Sequence, residues 1–260
     1  MLTFHKYHGA GNDFIVIDDR AKKFNAKDVK NIQALCHRQF GIGADGILIL
    51  QDHNKYDFEM IYANSDGSLG AMCGNGGRCI VHFAHNFLKI VKNPRKVRFL
   101  AADGEHEAEI LSGGQIKLKM QDVEDVSERN SLPFVCQGTT PHNIVFVEDL
   151  ENFSVFETGK KIRSSDPEGV NVDFVEIKDK VIYVRTYERG VENETLACGT
   201  GATSVAIVLH ALGKIKENEV RIRMQGGELI VEFEKTSDGY KNIYLTGPAV
   251  CTFKGKTNLL

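Results

Sequence analysis

The chain has 260 residues, of which 42% are hydrophobic and 26% charged, and its formal net charge is −3. This length suits one large domain or two small ones, and the interspersed charges leave no basic patch for nucleic acid. No apolar run could span a membrane, and the N-terminus does not resemble a signal peptide. The chain has six cysteines without Cys-x-x-Cys spacing, which argues against a disulfide scaffold and against a zinc site. We therefore expect a cytoplasmic protein that binds no metal, membrane or nucleic acid.

The first half of the chain combines predicted strands with two predicted helices. A polar turn at His8–Asn12 leads into an apolar, β-branched run ending at Asp18, which predicts a turn followed by a strand. Residues 28–40 have apolar side chains at helical spacing. The other predictions are strands at Gly46–Leu50 and Phe58–Tyr62, a helix with an apolar stripe from Cys79 to Phe87, and alternating strands from Val97 to Ile110.

The second half repeats the plan of the first. Its matching segments are Thr140–Asp149, Gly169–Ile177, Val181–Tyr187, a helix at Ala202–Leu212 with Gly213 as its C-cap, and Val220–Phe233. Because the second helix is apolar almost all round, we expect it to be buried. The repeat predicts an α+β fold of two pseudo-symmetric lobes, each a mostly antiparallel sheet wrapped around a central buried helix. We place the N-terminal lobe at residues 1–125, joined by a C-terminal strand at about 250–260, and the C-terminal lobe at 126–249.

The motif Cys-Gly-x-Gly precedes each predicted central helix, beginning at Cys73 in the first half and at Cys198 in the second. A helix N-terminus offers free N–H groups and partial positive charge, which bind a carboxylate and lower the pKa of a thiol from about 8.5. Inversion of a stereocentre by proton transfer needs a base on one face of the carbon and an acid on the other. The two motifs therefore predict that Cys73 and Cys198 act as an opposed acid–base pair, one a thiolate and one a thiol.

The other four cysteines fit ordinary structural positions. Cys36 shares an apolar helix face, Cys79 lies on a helical stripe, and Cys136 and Cys251 lie in strand-like runs. We expect these four to be chemically inert, because most cysteines behave as small hydrophobic residues.

Three parts of the sequence resemble the diaminopimelate epimerases. Tyr62–Ser68 followed by Met72–Cys79 is similar to the family's first cysteine signature, and Tyr187–Gly190 followed by Glu194–Ala202 is similar to its second. His8–Phe14 matches the family's N-terminal motif. The resemblance extends from about residue 4 to about residue 250.

The resemblance implies a homodimer without pyridoxal phosphate or another cofactor, which interconverts LL- and meso-2,6-diaminopimelate for lysine and peptidoglycan biosynthesis. It assigns the acid–base pair to Cys73 and Cys198 and implies that His142 and Glu188 tune the two thiols. The residues that it places in contact with substrate are Asn12, Asn64, Gly74, Asn75, Asn171, Glu188, Arg189, Gly199 and Thr200. Arg189 can bind a carboxylate as a fork, and the asparagines can both donate and accept hydrogen bonds.

Without the resemblance, several of these residues have ordinary interpretations. Asn12 and Asn64 lie in turns, where asparagine often serves the turn alone. Glu188 and Arg189 could form a solvated surface pair, and His142 could simply begin a strand.

Three features depart from the family pattern. Gly46 stands where many members have a glutamine, and Thr140 stands where an asparagine usually precedes Pro-His. The loop at residues 190–194 is one residue longer than the common form. None of them involves the two thiols, so we expect the chemistry to survive, whereas recognition of the distal substrate group is open.

Other functions remain open at this point, among them a broad-specificity racemase of another amino acid with the same fold. A proline or hydroxyproline racemase shares the two-thiol plan, but such enzymes typically have Cys-Gly-His and Ser-Pro-Cys where this chain has Cys-Gly-Asn and Leu-Ala-Cys. A thiol-redox or binding protein would use Cys73 and Cys198 as a disulfide, or not at all, and would exchange no α-proton.

Overall fold

The computed structural model describes residues 1–70 and 72–258. The helices in these residues are α1 (Val29–Cys36), α2 (Gly74–Asn86), α3 (Val155–Ser165) and α4 (Gly199–Ala211), with a short 3-10 helix at Ser112–Gly114. The strands are β1 (Leu2–Gly9), β2 (Asn12–Asp18), β3 (Gly46–Gln51), β4 (Phe58–Asn64), β5 (Leu69–Gly70), β6 (Val97–Ala101), β7 (Gly104–Ile110), β8 (Gln115–Lys119), β9 (Ser127–Arg129), β10 (Leu132–Gln137), β11 (Thr140–Phe146), β12 (Asn171–Lys178), β13 (Val181–Glu188), β14 (Asn193–Thr195), β15 (Glu219–Met224), β16 (Gly227–Thr236), β17 (Gly239–Pro248) and β18 (Val250–Thr257). This strand-rich composition with few helices confirms the predicted α+β class.

The chain divides into two compact units. Unit 1 comprises Met1–Leu118 and the C-terminal segment from Gly247, and unit 2 comprises Lys119–Thr246. Each unit contains a sheet, one buried central helix and one smaller helix.

The sheet of unit 1 has the strand order β18-β1-β2-β3-β4-β6-β7-β8, with the short β5 paired to the end of β4. Only the β2–β3 and β4–β6 pairs are parallel among these pairings. Unit 2 has the order β9-β10-β11-β12-β13-β15-β16-β17, with β14 paired to β13, and its parallel pairs are β11–β12 and β13–β15. The repeat in the sequence therefore extends to the order and direction of the strands.

In unit 1, strand β3 is covered on both faces. Ile47 and Ile49 join a core cluster with Ile32 of α1, whereas Leu48 faces the opposite side and lies against Gly76 of α2. Burial on both faces explains why this strand is a continuous apolar run rather than an alternating one.

Strand β12 of unit 2 is covered in the same way, with one difference. Val172 and Phe174 pack with Val155 of α3, and the residue between them, Asp173, lies against Gly201 of α4. A buried aspartate therefore stands where unit 1 has Leu48. Nearly every residue of α4 is buried, which confirms the prediction made from its all-round apolar sequence.

Two helices differ from the predictions. Helix α1 ends at Cys36 rather than near residue 40, because His37 has an extended backbone and the following chain folds back on the helix end. Helix α3 was not predicted. Its residue that packs toward the sheet is Gly159, which leaves room for the ring of Tyr187 but adds no apolar side chain to a helical pattern. In the described residues, no helix is both long enough and apolar enough to cross a membrane.

Candidate active site

Cys73 and Cys198 occupy equivalent positions at the ends of the two central helices. Cys73 is the N-cap of α2 with φ −118° and ψ 123°, and Cys198 is the N-cap of α4 with φ −118° and ψ 116°. Gly74 and Gly199 are the first helical residues. Each thiol therefore lies beside the free N–H groups of a helix N-terminus, as the Cys-Gly-x-Gly motif predicted.

In unit 1, Cys73 is hydrogen-bonded to Asn12, which the family resemblance also assigned to the site. Its thiol donates to Oδ1 of Asn12 at 3.6 Å, and Nδ2 of Asn75 donates to the same oxygen at 3.2 Å. Asn12 in turn donates from Nδ2 to Asp45 at 2.7 Å. Asn12, Cys73 and Asn75 thus form one polar cluster at the start of α2.

A group of charged residues holds Asn12 in place. Asp13 accepts from Lys6 at 2.5 Å and from Arg38 at 2.8 Å, and Arg38 also binds Asp45 at 2.6 Å. Burial favours the neutral form of Asp13, but the hydrogen bonds and charges of Arg38 and Lys6 outweigh it and lower the pKa of Asp13 to about 2. The carboxylate is therefore ionised throughout the physiological range.

This cluster predicts a pH-dependent loss of stability for Asp13→Asn. A carboxyl whose pKa is lowered on folding stabilises the protein above its unfolded pKa, and this contribution disappears as pH falls through the folded pKa. We expect the variant to lose about 2 kcal/mol of unfolding free energy at pH 7. The difference from wild type should shrink between about pH 4 and pH 2.

Urea unfolding of both proteins at several pH values measures this effect. Asp18→Asn is the matched control, because Asp18 pairs with Arg20 at 2.7 Å on the surface, where such pairs contribute little. An equal loss for both variants at pH 7, or a loss for Asp13→Asn that persists at low pH, would contradict the assignment.

Asn64 and Gly46 lie opposite each other on paired strands of unit 1. The Asn64 side chain donates from Nδ2 to Oγ of Ser68 at 3.0 Å. A Cβ at Gly46 would lie 2.6 Å from the Ala63 carbonyl and 2.7 Å from the ring of Tyr62, so this backbone has no room for the glutamine that the family pattern led us to expect. The glycine at position 46 is therefore required by the way the Tyr62 ring packs against it.

Arg78, in the second turn of α2, is fully buried. Its guanidinium donates to Oδ1 of Asn75 at 2.8 Å and to the Gly74 carbonyl at 3.3 Å, and its Nε has no partner among the described residues. Burial lowers the pKa of Arg78, and the interaction with Cys79 and Cys73 raises it. The guanidinium therefore supports the position of Asn75 and adds positive charge beneath the start of the helix.

In unit 2, a chain of hydrogen bonds connects the Cys198 thiol to a buried carboxylate. The Cys198 sulfur lies 3.4 Å from Oγ1 of Thr200, which lies 2.9 Å from Nε2 of His142. Nδ1 of His142 lies 2.7 Å from Asp173, and both side chains are inaccessible to solvent. If Nδ1–H donates to Asp173, Nε2 accepts from the Thr200 hydroxyl, which is then free to accept from the thiol. His142 thus reaches the thiol through Thr200 rather than directly.

Asn171 and Arg189 lie beside this chain. Nδ2 of Asn171 lies 3.3 Å from Nε2 of His142, and its Oδ1 accepts from the Arg189 backbone N–H at 2.8 Å. In the described part of the chain, the Arg189 guanidinium donates only to backbone carbonyls, those of Glu168, Gly169 and Thr139, at 3.3–3.4 Å. No carboxylate of the described residues pairs with its charge, so the guanidinium can bind a carboxylate as a fork.

Glu188 accepts from the Thr195 hydroxyl at 2.5 Å, and burial raises the pKa of its carboxyl. The pKa of Cys198 is raised well above its usual range, first by burial and then by the charges of Glu188 and Asp173. The hydrogen bond with Thr200 and the one from the Gly201 N–H act in the opposite direction. For Cys198, the expected lowering by the helix N-terminus is therefore outweighed by burial and by neighbouring acids.

Sequence reasoning missed Asp173 and Arg78 as members of these clusters. The available signal was a charged side chain in an otherwise apolar segment, since Asp173 interrupts the buried run Val170–Val175 and Arg78 precedes an apolar helical stripe. Two other positions depart from the family pattern. Thr140 begins β11 and pairs with Gln137. The loop at residues 190–194 is held by an ion pair of Glu192 with Arg163 at 2.8 Å.

The remaining cysteines lie outside both clusters. Burial raises the pKa of Cys36 to about 12 and also raises that of Cys79 and Cys251, so these three remain thiols at neutral pH. Cys136 is exposed on β10.

Comparison with known proteins gives matches over nearly the whole chain. The family model described as diaminopimelate epimerase matches residues 4–126 and 134–252. A diaminopimelate epimerase of Flavobacterium psychrophilum is 46% identical over 257 residues, covering 97% of this chain and 99% of the relative. One from Chlorobaculum tepidum is 41% identical over 263 residues, covering 96% and 99%. Among solved structures, a PhzF-family phenazine biosynthesis protein of Bacillus anthracis has the same fold, with a TM-score of 0.75 at 16% identity over 98% of each chain.

Proposed function

The chain belongs to the diaminopimelate epimerase family, and we propose that it carries out the epimerisation with Cys73 and Cys198 as its acid–base pair. The reaction interconverts LL- and meso-2,6-diaminopimelate, a step of lysine and peptidoglycan biosynthesis. The enzyme is thus an isomerase that acts on a small molecule.

The observation that carries the two-thiol mechanism is the matching N-cap position of the two cysteines. A thiolate at one helix end removes the α-proton from one face of the substrate carbon, and the thiol at the other helix end delivers a proton to the opposite face. The roles exchange in the reverse direction. No cofactor is required, because the helix N–H groups stabilise the charge that develops on the α-carboxylate.

The polar residues of both units supply the substrate contacts. We assign hydrogen bonds with the substrate's amino and carboxylate groups to Asn12, Asn64, Asn75 and Asn171, and to the backbone of Gly74, Gly199 and Thr200. Arg189 binds the distal carboxylate, for which its guanidinium has two parallel N–H donors. Glu188 binds an ammonium group and, with His142, sets the protonation of the nearby thiol.

We propose further that the enzyme is a homodimer of the cytoplasm. This rests on the family resemblance alone.

The function is tested with the purified wild-type chain, without added pyridoxal phosphate, in D2O. Proton NMR follows LL-diaminopimelate, with free proline in parallel. We expect deuterium at the α-position together with meso product, and no change in proline. Exchange into proline instead would favour the racemase alternative, and absence of exchange with a folded, reduced sample would rule out the substrate assignment.

A further inference from the structure

Unit 2 has buried polar side chains at two positions where unit 1 has apolar ones. Asp173 of unit 2 corresponds to Leu48 of unit 1, since each lies against the second glycine of its Cys-Gly-x-Gly motif. The strand register then makes His142 correspond to Phe14, because each pairs with the residue two positions before the aspartate or the leucine. All four side chains are buried. The two units are therefore alike in backbone but differ in the chemistry behind their cysteines.

The contacts of Asn171 determine which ring nitrogen of His142 carries a proton. Oδ1 of Asn171 accepts from the Arg189 backbone N–H at 2.8 Å, so its Nδ2, which can only donate, is the atom that lies 3.3 Å from Nε2 of His142. Nε2 is therefore the accepting nitrogen of a neutral ring. The proton then lies on Nδ1, which faces Asp173 at 2.7 Å.

The hydroxyl of Thr200 lies between this accepting nitrogen and the Cys198 sulfur. Its Oγ1 is 2.9 Å from Nε2 of His142 and 3.4 Å from the sulfur. Because Nε2 accepts, the hydroxyl proton points to the ring, and the oxygen lone pairs remain for the thiol. The far end of this line is fixed, since Asp173 also accepts from the Thr186 hydroxyl at 2.7 Å. The thiol, the hydroxyl and the imidazole thus form one path for a proton.

The other contacts of the Cys198 sulfur suit a thiolate that forms together with an imidazolium. The sulfur accepts from the Gly201 N–H at 3.4 Å, at the N-terminus of α4, where free N–H groups favour an anion. Burial and the charges of Glu188 and Asp173 oppose ionisation of the thiol alone. Transfer of the proton to His142 leaves the net charge of the buried cluster unchanged, and Asp173 then lies against the imidazolium.

We propose that Thr200 is a further catalytic residue, whose hydroxyl carries a proton between Cys198 and His142, and that Asp173 is the positioning residue that makes Nε2 the acceptor. The S–H bond breaks as the Thr200 oxygen gains that proton, and the hydroxyl's own proton passes to Nε2. The products are a thiolate and an imidazolium, and the reverse steps restore the thiol. Unit 1 has apolar side chains at the matching positions of β2 and β3, so we expect Cys73 not to depend on this path. This inference rests on the proposed two-thiol function.

NMR of the free enzyme tests the state of the histidine. Long-range 1H–15N spectra of the reduced, 15N-labelled protein distinguish the tautomers of a histidine ring, and the signals of His142 are those missing from His142→Gln. We expect Nδ1 to be protonated in wild type. Asp173→Asn should shift the ring to the Nε2–H form, because the amide oxygen can keep the hydrogen bond with Thr186 while its NH2 group faces Nδ1. A neutral Nε2–H ring in wild type would overturn the inference.

Alkylation of the free enzyme tests the path to the thiol. The reduced protein reacts with iodoacetamide at pH 7, and peptide mass spectrometry gives a rate for Cys198, with Cys73 as internal reference. Thr200→Val keeps the shape of the side chain and removes the hydroxyl, so the Cys198 rate should fall at least about fivefold. Thr200→Ser should restore it to within about twofold of wild type. Thr203→Val is the matched control, since Thr203 lies in the same helix but donates its hydroxyl to the Gly199 carbonyl at 3.0 Å, and it should leave the rate unchanged.

Asp173→Asn separates the two effects that a buried carboxylate can have on this thiol. Acting directly, the carboxylate opposes the thiolate, so its removal would speed alkylation of Cys198. Acting through His142, it supports proton transfer, so its removal should slow alkylation at least about threefold. The double variant Asp173→Asn/Thr200→Val should be no slower than the slower single variant, because both changes interrupt one path.

The outcomes also distinguish this path from a second acceptor, Glu188, whose carboxylate interacts with Cys198 as well. A Cys198 rate that falls in Glu188→Gln but not in folded Thr200→Val would assign the proton to Glu188 and overturn the inference, as would a faster rate in Asp173→Asn. The wild-type tautomer decides even if a variant does not fold. None of these measurements uses substrate, so epimerisation with an unchanged rate in Thr200→Val would reject the path and keep the proposed function. The expected rates without epimerisation would reject the function alone.

Discussion

Replacing either Cys73 or Cys198 by alanine should reduce epimerisation by at least about 10³-fold, because each variant lacks the acid or the base on one face of the carbon. Single variants should nevertheless retain slow α-hydrogen exchange without inversion, since the remaining thiol can remove a proton and return a deuteron on its own face. Cys73→Ala and Cys198→Ala should exchange opposite diaminopimelate isomers. The double variant should exchange neither.

Proton NMR in D2O, started separately from the LL and meso isomers, measures inversion and exchange in one experiment. Cys136→Ala and Cys251→Ala are suitable controls, because each removes a thiol from one unit outside the clusters and should keep activity within about twofold of wild type. Epimerisation within tenfold of wild type in either catalytic variant would exclude the two-thiol mechanism.

The placement of the two cysteines could be predicted from sequence because it depends on local features. A cysteine followed by glycines and then by an apolar helical run defines a helix N-terminus, and both N-caps lie where that pattern predicts. The contacts of Asn12 and Asn171 needed the family resemblance, since each asparagine lies in a segment whose partners are distant in sequence.

The charge difference between the units could not be predicted in this way. Whether Arg78 and Asp173 are solvated or buried depends on what covers them, and a single sequence does not show this. Both proved fully buried, Arg78 with its guanidinium on the Gly74 carbonyl and Asp173 against Gly201.

Most strands were predicted because their pattern is strong, whereas one helix was missed for a specific reason. Gly159 lies inside α3 at the position that packs on Tyr187, so the apolar stripe that would mark this helix is interrupted. Glycine is unfavourable inside a helix, but the Tyr187 ring leaves no room for a side chain at position 159. Tertiary packing therefore overrides the helix propensity of this segment.

Gly201→Ala should be far more damaging than the equivalent change in unit 1, Gly76→Ala. A Cβ at Gly201 would overlap the Asp173 carboxylate, which is fixed by hydrogen bonds with His142 and Thr186 at 2.7 Å. We expect a loss of about 3 kcal/mol in unfolding free energy. Epimerisation should fall at least about tenfold, because the Gly201 N–H that donates to the Cys198 sulfur would shift.

At Gly76 the new Cβ would meet the methyl group of Leu48 at 3.0 Å, and a flexible apolar side chain can move by a few tenths of an ångström. Gly76→Ala should therefore cost less than about 1 kcal/mol.

Urea unfolding of both variants, together with Asp173→Ala and the Asp173→Ala/Gly201→Ala double variant, gives a double-mutant cycle. The double variant should be at least about 1 kcal/mol more stable than additivity predicts, since removal of the carboxylate relieves the overlap. Equal costs for the two glycine substitutions, or strict additivity, would show that Asp173 is not held against the start of α4.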